Sequence, residues 1–362
     1  MSTIGTGAGE GEPRLWDIVI GDGRILSIQP AGGRSPGEDC FDARGAWVVS
    51  GFIDMHTHGG AGADVMDEDP GALAAIAEHQ LACGVTSFLA TTLSAPLGDI
   101  AAALGRVRAH IAKEALGARK PVAERCSRPA SPRRARIAGA HLEGPFLSAS
   151  NAGAQNRASL RAPEGEAADL VIKNADIIRR ITLAPELPGA TAFIRRVRKA
   201  GIGVSAGHDG AIDEEIEAAV EAGLDCVTHL FCCSSTISRR DGPRKHLGLT
   251  EFGLADGRLS VEIIADGLHV PDRLLGMVLR AKGADRVCLV SDSIRVAGLP
   301  DGEYRLGDSA TGTLVIKRGT EVFVPGVNLY AGSATDLGTM VRRLVANGVV
   351  SLAQAVSMAT EV

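Results

Sequence analysis

Residues 47 to 58 read WVVSGFIDMHTH, an apolar, β-rich run that ends in an aspartate and two histidines. A segment this apolar suits a strand of a parallel sheet, buried on both faces. It opens a series of eight: WVVSGFID (47 to 54), TSFLATT (86 to 92), IAGAHLE (137 to 143), ITLAPE (181 to 186), GVSAGH (203 to 208), CVTHLF (226 to 231), SVEIIADG (260 to 267) and VCLVSD (287 to 292). Between the runs lie Ala/Leu-rich stretches with apolar residues three or four apart, at 70 to 83, 98 to 114, 191 to 200, 212 to 222 and 271 to 282, with another near 336 to 347. Eight strands with amphipathic helices between them predict an α/β fold, a (β/α)8 TIM-like barrel.

Such a barrel takes about 250 residues, so a chain of 362 has room for one accessory module. Residues 16 to 28, WDIVIGDGRILSI, read as two strands around an Asp22-Gly23 turn. They place a small β-sandwich module at 1 to 50, behind a flexible tail at 1 to 13, with the barrel at 51 to 362. Within the barrel, TGTLVI and EVFV are too β-like for a helix and predict a β-hairpin insertion near 303 to 330. The arginines of residues 118 to 136 join a helix to the third strand, which puts them on the face opposite the catalytic end.

A formal charge of −5 argues against a polyanion-binding surface, so no nucleic-acid partner is expected and a small molecule is the better one. The N-terminal residues lack the basic and apolar regions of a signal peptide, and no apolar run is long enough to span a bilayer. Seven cysteines with no C-x-x-C pair fit reduced thiols. Together these predict a cytoplasmic protein without a membrane partner.

Active-site groups of α/β barrels come from the C-terminal ends of strands. Six of the nine histidines fall there: His56, His58, His141, His208, His229 and His269, joined by Glu143, Asp266 and Asp292. His56 and His58, two apart on an extended segment, point to one face and can grip one ion. Glu143 can bridge to a second ion held by His208 and His229, and imidazole with carboxylate suits zinc or iron rather than calcium. One or two divalent metal ions per chain are therefore expected, with Asp292 as a further ligand. A bound ion lowers the pKa of water from about 15.7 toward about 7. Asp292 can then take the water's proton and return it to a leaving amine, while His269 polarises the carbonyl.

At these residues the sequence resembles the N-acetylglucosamine-6-phosphate deacetylase family of the amidohydrolase superfamily. The stretches that carry the resemblance are GFIDMHTHG, HLEGPF, TLAPE, VSAGH, THLF, IIADGLHV, LVSD, AGLPDGEYRLG and AGSATDLGTMVRRLV, in order from about residue 16 to the end. The resemblance implies a metal held by Glu143, His208 and His229, Asp292 as general base and acid, His269 on the substrate, and a homodimer.

Departures concern the substrate. Cys232 and Cys233 stand where the family has an Asn-Ala pair that helps hold the sugar phosphate, and Gln155 stands for a histidine that reaches substrate. The family's arginine that crosses a dimer aligns only ambiguously near Arg240. Arg295, where small residues are usual, is expected either to pair a substrate anion or to be a solvated loop arginine. The chain stops at Val362 where the family continues, so the expectation is a truncated sequence or a β module reduced to its N-terminal strands. The leading expectation is deacetylation of an N-acetylated amino sugar, N-acetylglucosamine-6-phosphate or a related sugar-like amine. An amidohydrolase for another N-acyl or cyclic amide in a specialised pathway is the alternative enzyme. A non-catalytic barrel-fold binding protein is the third reading, weakened by the intact ligand set.

Overall fold

Alternate residues of a strand face opposite sides, and in this chain the two sides differ in chemistry. Ile181 and Leu183, Val204 and Ala206, and Val261 and Ile263 belong to the hydrophobic core that the helices cover. Thr182, Ser205 and Glu262, the residues between them, are buried polar groups of the barrel interior. The Thr182 hydroxyl meets Thr228 at 2.7 Å, and Arg180 bonds Ser205 at 2.9 Å and Asp225 at 2.8 Å. The interior is thus filled by hydrogen-bonded polar layers rather than by an apolar plug.

The computed structural model describes residues 2–3, 15–21, 23–32, 40–118, 133–240 and 242–361. They divide into one unit that ends at Gly51 and a larger one that begins at Phe52. In the larger unit eight parallel strands follow one another in chain order: Phe52–Thr57, Val85–Thr92, Arg136–Glu143, Ile178–Leu183, Gly203–Ala206, Cys226–Val227, Ser260–Ile263 and Val287–Leu289. These are barrel strands one to eight below. The ring closes by hydrogen bonds at its C-terminal rim. Strand eight is too short to ladder with strand one, so the residues after it do the joining. Asp292 N donates to His56 O at 2.9 Å and His58 N to Ser293 O at 2.8 Å, while the Ser291 side chain bonds Asp54 and the Ser293 hydroxyl meets Thr57 at 2.8 Å.

All eight expected strands are present in the expected order, with later starts or earlier ends at several. Strand one begins at Phe52 rather than residue 47, because Trp47–Val48 pairs in parallel with Ser2–Thr3 in the smaller unit. The six expected helices are found as Ala72–Ala82, Leu97–Ala118, Ala190–Lys199, Asp213–Ala222, Asp272–Lys282 and Leu337–Ala346. Gly165–Lys173, Leu249–Ala255 and Leu352–Met358 are additional helices. The insertion has three antiparallel strands rather than two, Gly302–Leu306 pairing with Thr313–Arg318 and that with Glu321–Phe323.

In the smaller unit Trp16–Gly21 and Arg24–Pro30 form the expected antiparallel hairpin, with Gly23 at a positive φ of 73° in the turn. Residues 4–13 of the expected tail, Asp22 of the turn, and 119–132 of the arginine-rich segment lie outside the described residues. No described helix is long and apolar enough to cross a membrane.

Candidate metal centre

Four buried imidazoles and two buried carboxylates converge where strands one, three, five, six and eight reach the rim. Glu143, the last residue of strand three, is at the middle. Its Oε1 is 2.9 Å from His229 Nε2, 3.2 Å from His208 Nε2 and 3.4 Å from His56 Nε2, and its Oε2 is 3.3 Å from His58 Nε2. Asp292 Oδ1 lies 3.2 Å from His58 Nε2 and 3.5 Å from His56 Nε2. One set of donor atoms from His56, His58 and Glu143, and another from Glu143, His208 and His229, each fall within 4.8 Å of one another.

The far side of three of these rings decides which nitrogen carries the proton. His58 Nδ1 faces the Thr91 carbonyl at 3.2 Å, His208 Nδ1 the Asn151 carbonyl at 2.9 Å, and His56 Nδ1 the Glu262 carboxylate at 3.0 Å. An acceptor at Nδ1 requires N–H there, so in the neutral ring the Nε2 lone pair points at the cluster, as a metal ligand must. His56 Nε2 is fully buried and has no hydrogen-bond partner. His208 and His229 turn their Nε2 atoms to within 3.1 Å of each other. A donor set of this kind fits a cation.

The charge balance says the same. Burial opposes an imidazolium at His58, yet the carboxylates of Asp292 and Glu143 overcome it and raise its pKa to about 9. At His56 burial is likewise outweighed, by the charges of Glu143 and Asp292, and its pKa rises well above the ordinary value. Burial would raise the two carboxyls, but the histidines hold Glu143 well below and Asp292 below the usual carboxylate range. The cluster needs positive charge, from protons or from a metal. His141, deeper in the barrel, takes the opposite course. Burial lowers it well below the usual value, and its Nε2 is spent on Thr182 at 2.8 Å, so it stays out of the cluster.

Strand ends bend sharply to aim these groups. His208, His229 and Asp292 have φ of 49°, 27° and 45°, and Phe231 and Cys233 have 80° and 52°. Left-handed backbone at non-glycine residues costs of order 1–3 kcal/mol each and clusters at functional sites. Gly153, at φ 59°, lets the loop after strand three lie on the site: a Cβ there would come 2.7 Å from Cys233 Sγ and 3.4 Å from the His208 ring.

A cavity of about 280 Å³ opens above the cluster. Of the residues expected to meet substrate, Gln155, Cys232, Cys233 and His269 line it. The His269 ring is held by Asp266, whose Oδ2 is 2.7 Å from Nδ1. Gln155 donates from Nε2 to Glu143 Oε2 and accepts from Ser94 N at 2.8 Å, so its amide is tied to the cluster. Burial drives the Cys232 thiol well above its ordinary pKa.

One expectation is corrected. Arg295 neither lines the cavity nor is solvated: it is buried in a fork with Asp67, Nη2 to Oδ1 at 2.7 Å and Nη1 to Oδ2 at 3.2 Å, and bonds the Gly62 and Gly307 carbonyls. Arg240, near the expected dimer-crossing arginine, is exposed, pairs with Glu215 at 2.8 Å, bonds the Gly210 carbonyl and is not among the residues that line this chain's cavity. Among the described residues no lysine or arginine lines the cavity.

Two further carboxylates hold this site together: Asp54, which the sequence places at the rim without a role, and Glu262, which it does not mark. The available signal at Glu262 was a lone carboxylate inside the apolar run SVEIIA, where a charge is expected only with a buried partner.

Residues 47–362 match the sequence model of the Amidohydrolase family. The N-acetylgalactosamine-6-phosphate deacetylase of Escherichia coli O157:H7 is 33% identical over 344 residues, covering 95% of this chain and 82% of that protein. The N-acetylglucosamine-6-phosphate deacetylase of Lysinibacillus sphaericus is 32% identical over 304 residues, covering 82% of this chain and 71% of that one. The crystal structure of N-acetylglucosamine-6-phosphate deacetylase from Pasteurella multocida superposes with a TM-score of 0.80 at 26% identity, covering 95% of this chain and 83% of that chain. With the family model spanning the whole barrel, the chain belongs to the amidohydrolase family, metal-dependent hydrolases of amide bonds.

Proposed function

We propose that the chain deacetylates an N-acetylated amino sugar of the hexosamine 6-phosphate class, the substrates named for its relatives. The observation that carries the reading is the set of four imidazoles and two carboxylates under a small cavity that His269 also lines. Glu143, His208 and His229 would hold one divalent cation. His56 and His58, with Glu143 and Asp292, would hold a second. Imidazole and carboxylate donors favour zinc or iron. The cation supplies an activated water and a polarised carbonyl. The Asp292 carboxylate would receive the water's proton and return it to the leaving amine, and His269, held through Nδ1 by Asp266, would face the carbonyl oxygen. Gln155 keeps Glu143 oriented.

A second reading, an unphosphorylated amino sugar, is supported by the lack of a lysine or arginine in the described lining of the cavity. The barrel, 51 to 362, carries the chemistry in this proposal, and residues 1 to 50 are its β module. A homodimer is proposed on the resemblance, and a cytoplasmic site on the free thiols at the six described cysteines.

The test is acetate release by the purified, metal-loaded protein from N-acetylglucosamine 6-phosphate, N-acetylgalactosamine 6-phosphate and their unphosphorylated counterparts. Release from the phosphorylated pair, with turnover falling roughly 10²- to 10⁴-fold in Asp292→Asn and KM changing less, is the expected result. Preference for the unphosphorylated sugars selects the second reading, and no acetate from any of the four defeats both.

A further inference from the structure

In the strand-seven run Ser260–Ile263, Val261 and Ile263 are fully buried against the helices and Glu262 is fully buried between them on the opposite, inner face. A carboxylate taken out of water costs several kcal/mol unless it is paired or hydrogen-bonded. No lysine or arginine within 4 Å pairs with Glu262 among the described residues; its ionic partner is His56. Its Oε2 accepts from His56 Nδ1 at 3.0 Å and from the His229 backbone N–H at 3.3 Å, while Oε1 has no partner. One oxygen atom therefore touches the side chain of a residue in the first donor group and the main chain of a residue in the second.

We infer that Glu262 is a positioning residue for the cation site formed by His56 and His58, fixing the His56 tautomer so that Nε2 faces the ion and making that nitrogen a stronger donor. The inference rests on the ligand assignment proposed above. A carboxylate behind a metal-binding histidine fixes the ring and raises its basicity, and its loss costs about 10- to 100-fold in metal affinity. The contact with His229 is to backbone, which an amide oxygen can replace. Glu262→Gln removes the charge but keeps an acceptor, so its effect should fall on one site only.

The experiment is a cobalt(II) titration of metal-free protein, followed by visible absorption and by metal content after gel filtration. It compares the native chain, Glu262→Gln, His56→Ala and the double variant. Glu262→Gln should bind the first equivalent at the site of Glu143, His208 and His229 with affinity close to native, and the second about 10- to 100-fold more weakly. In the His56→Ala background the exchange should change nothing further. Native affinity at both sites, equal weakening of both, or an effect that persists without His56 would overturn the inference while leaving the ligand assignment standing. A His56→Ala protein that still binds two equivalents like the native chain would instead overturn the assignment, and the inference with it. If Glu262→Gln does not fold, Glu262→Asp takes its place: it keeps the charge but withdraws it by one methylene, and an unchanged second equivalent overturns the inference.

Discussion

Arg295 shows how a residue's neighbours settle its role. By position, three after Asp292, it belongs to the catalytic rim, yet its guanidinium is turned into the protein and all but its Nε is bonded to Asp67 and two carbonyls. Removing one partner of a buried ion pair leaves the other charged and unpaired, at a cost of about 3–5 kcal/mol. Arg295→Ala should therefore lower stability by that order in denaturant unfolding, and should leave the ratio of kcat/KM for a charged and a neutral N-acetylated substrate unchanged. A selective loss on the charged substrate would return Arg295 to the pocket. Asp67 is 228 positions away in sequence, and nothing in either local stretch marks the pairing.

At the scale of elements, the strands are legible because they are β-rich, largely apolar runs between amphipathic stretches, and the candidate ligands because runs one, three, five, six and eight carry histidines or a carboxylate at or just past their ends. The helices Gly165–Lys173 and Leu249–Ala255 are not. They are nine and seven residues long, too short for a spacing of three or four to repeat over several turns. The roles of Glu262 and Asp54 are hidden for another reason: His56 and His229 for Glu262, and Ser291 for Asp54, lie on other strands or past their ends, so only the closed ring brings them together. The helix Asp213–Ala222 carries a local device of its own. His246 Nδ1 lies 2.8 Å from Asp213 and 3.1 Å from Glu214 in its first turn, and Arg244 is 3.0 Å from Glu214. The hydrogen bond to Asp213, then the charge of Glu214, raises the His246 pKa. A histidine whose folded pKa is raised contributes stability fully below its unfolded value of about 6.5 and loses it as pH climbs through the folded value. The melting temperature of the native chain relative to His246→Gln should therefore be higher near pH 6, and the two should converge as pH climbs through the raised folded value. A difference that does not change with pH would show that His246 acts through packing alone.

For the whole molecule, the cluster that suits a cation is also a concentration of buried charge. Without the ion, imidazolium groups must neutralise Glu143 and Asp292, and four rings crowd one another. An ion bound only by the folded chain stabilises it by RT ln(1 + [L]/Kd), about 4 kcal/mol at a thousandfold excess over Kd. Chelation should lower the melting temperature by several degrees, and added zinc or iron should restore it; an unchanged melt after metal content has fallen to zero would separate the cluster from folding.

Where the barrel closes gives that result a direction. His56 and His58 stand on one side of the join between strands one and eight, and Asp292 on the other. The join itself is a few hydrogen bonds at the rim, made by Asp54, His56, Thr57 and His58 with Ser291, Asp292 and Ser293. An ion shared by the two sides would be a rivet through that weld. Taking it out loosens the ring first at that line, so amide exchange should quicken at His58 and Asp292 before it does in strands three and four, and the enzyme's lifetime against proteolysis becomes a measure of how well its cell supplies it with metal.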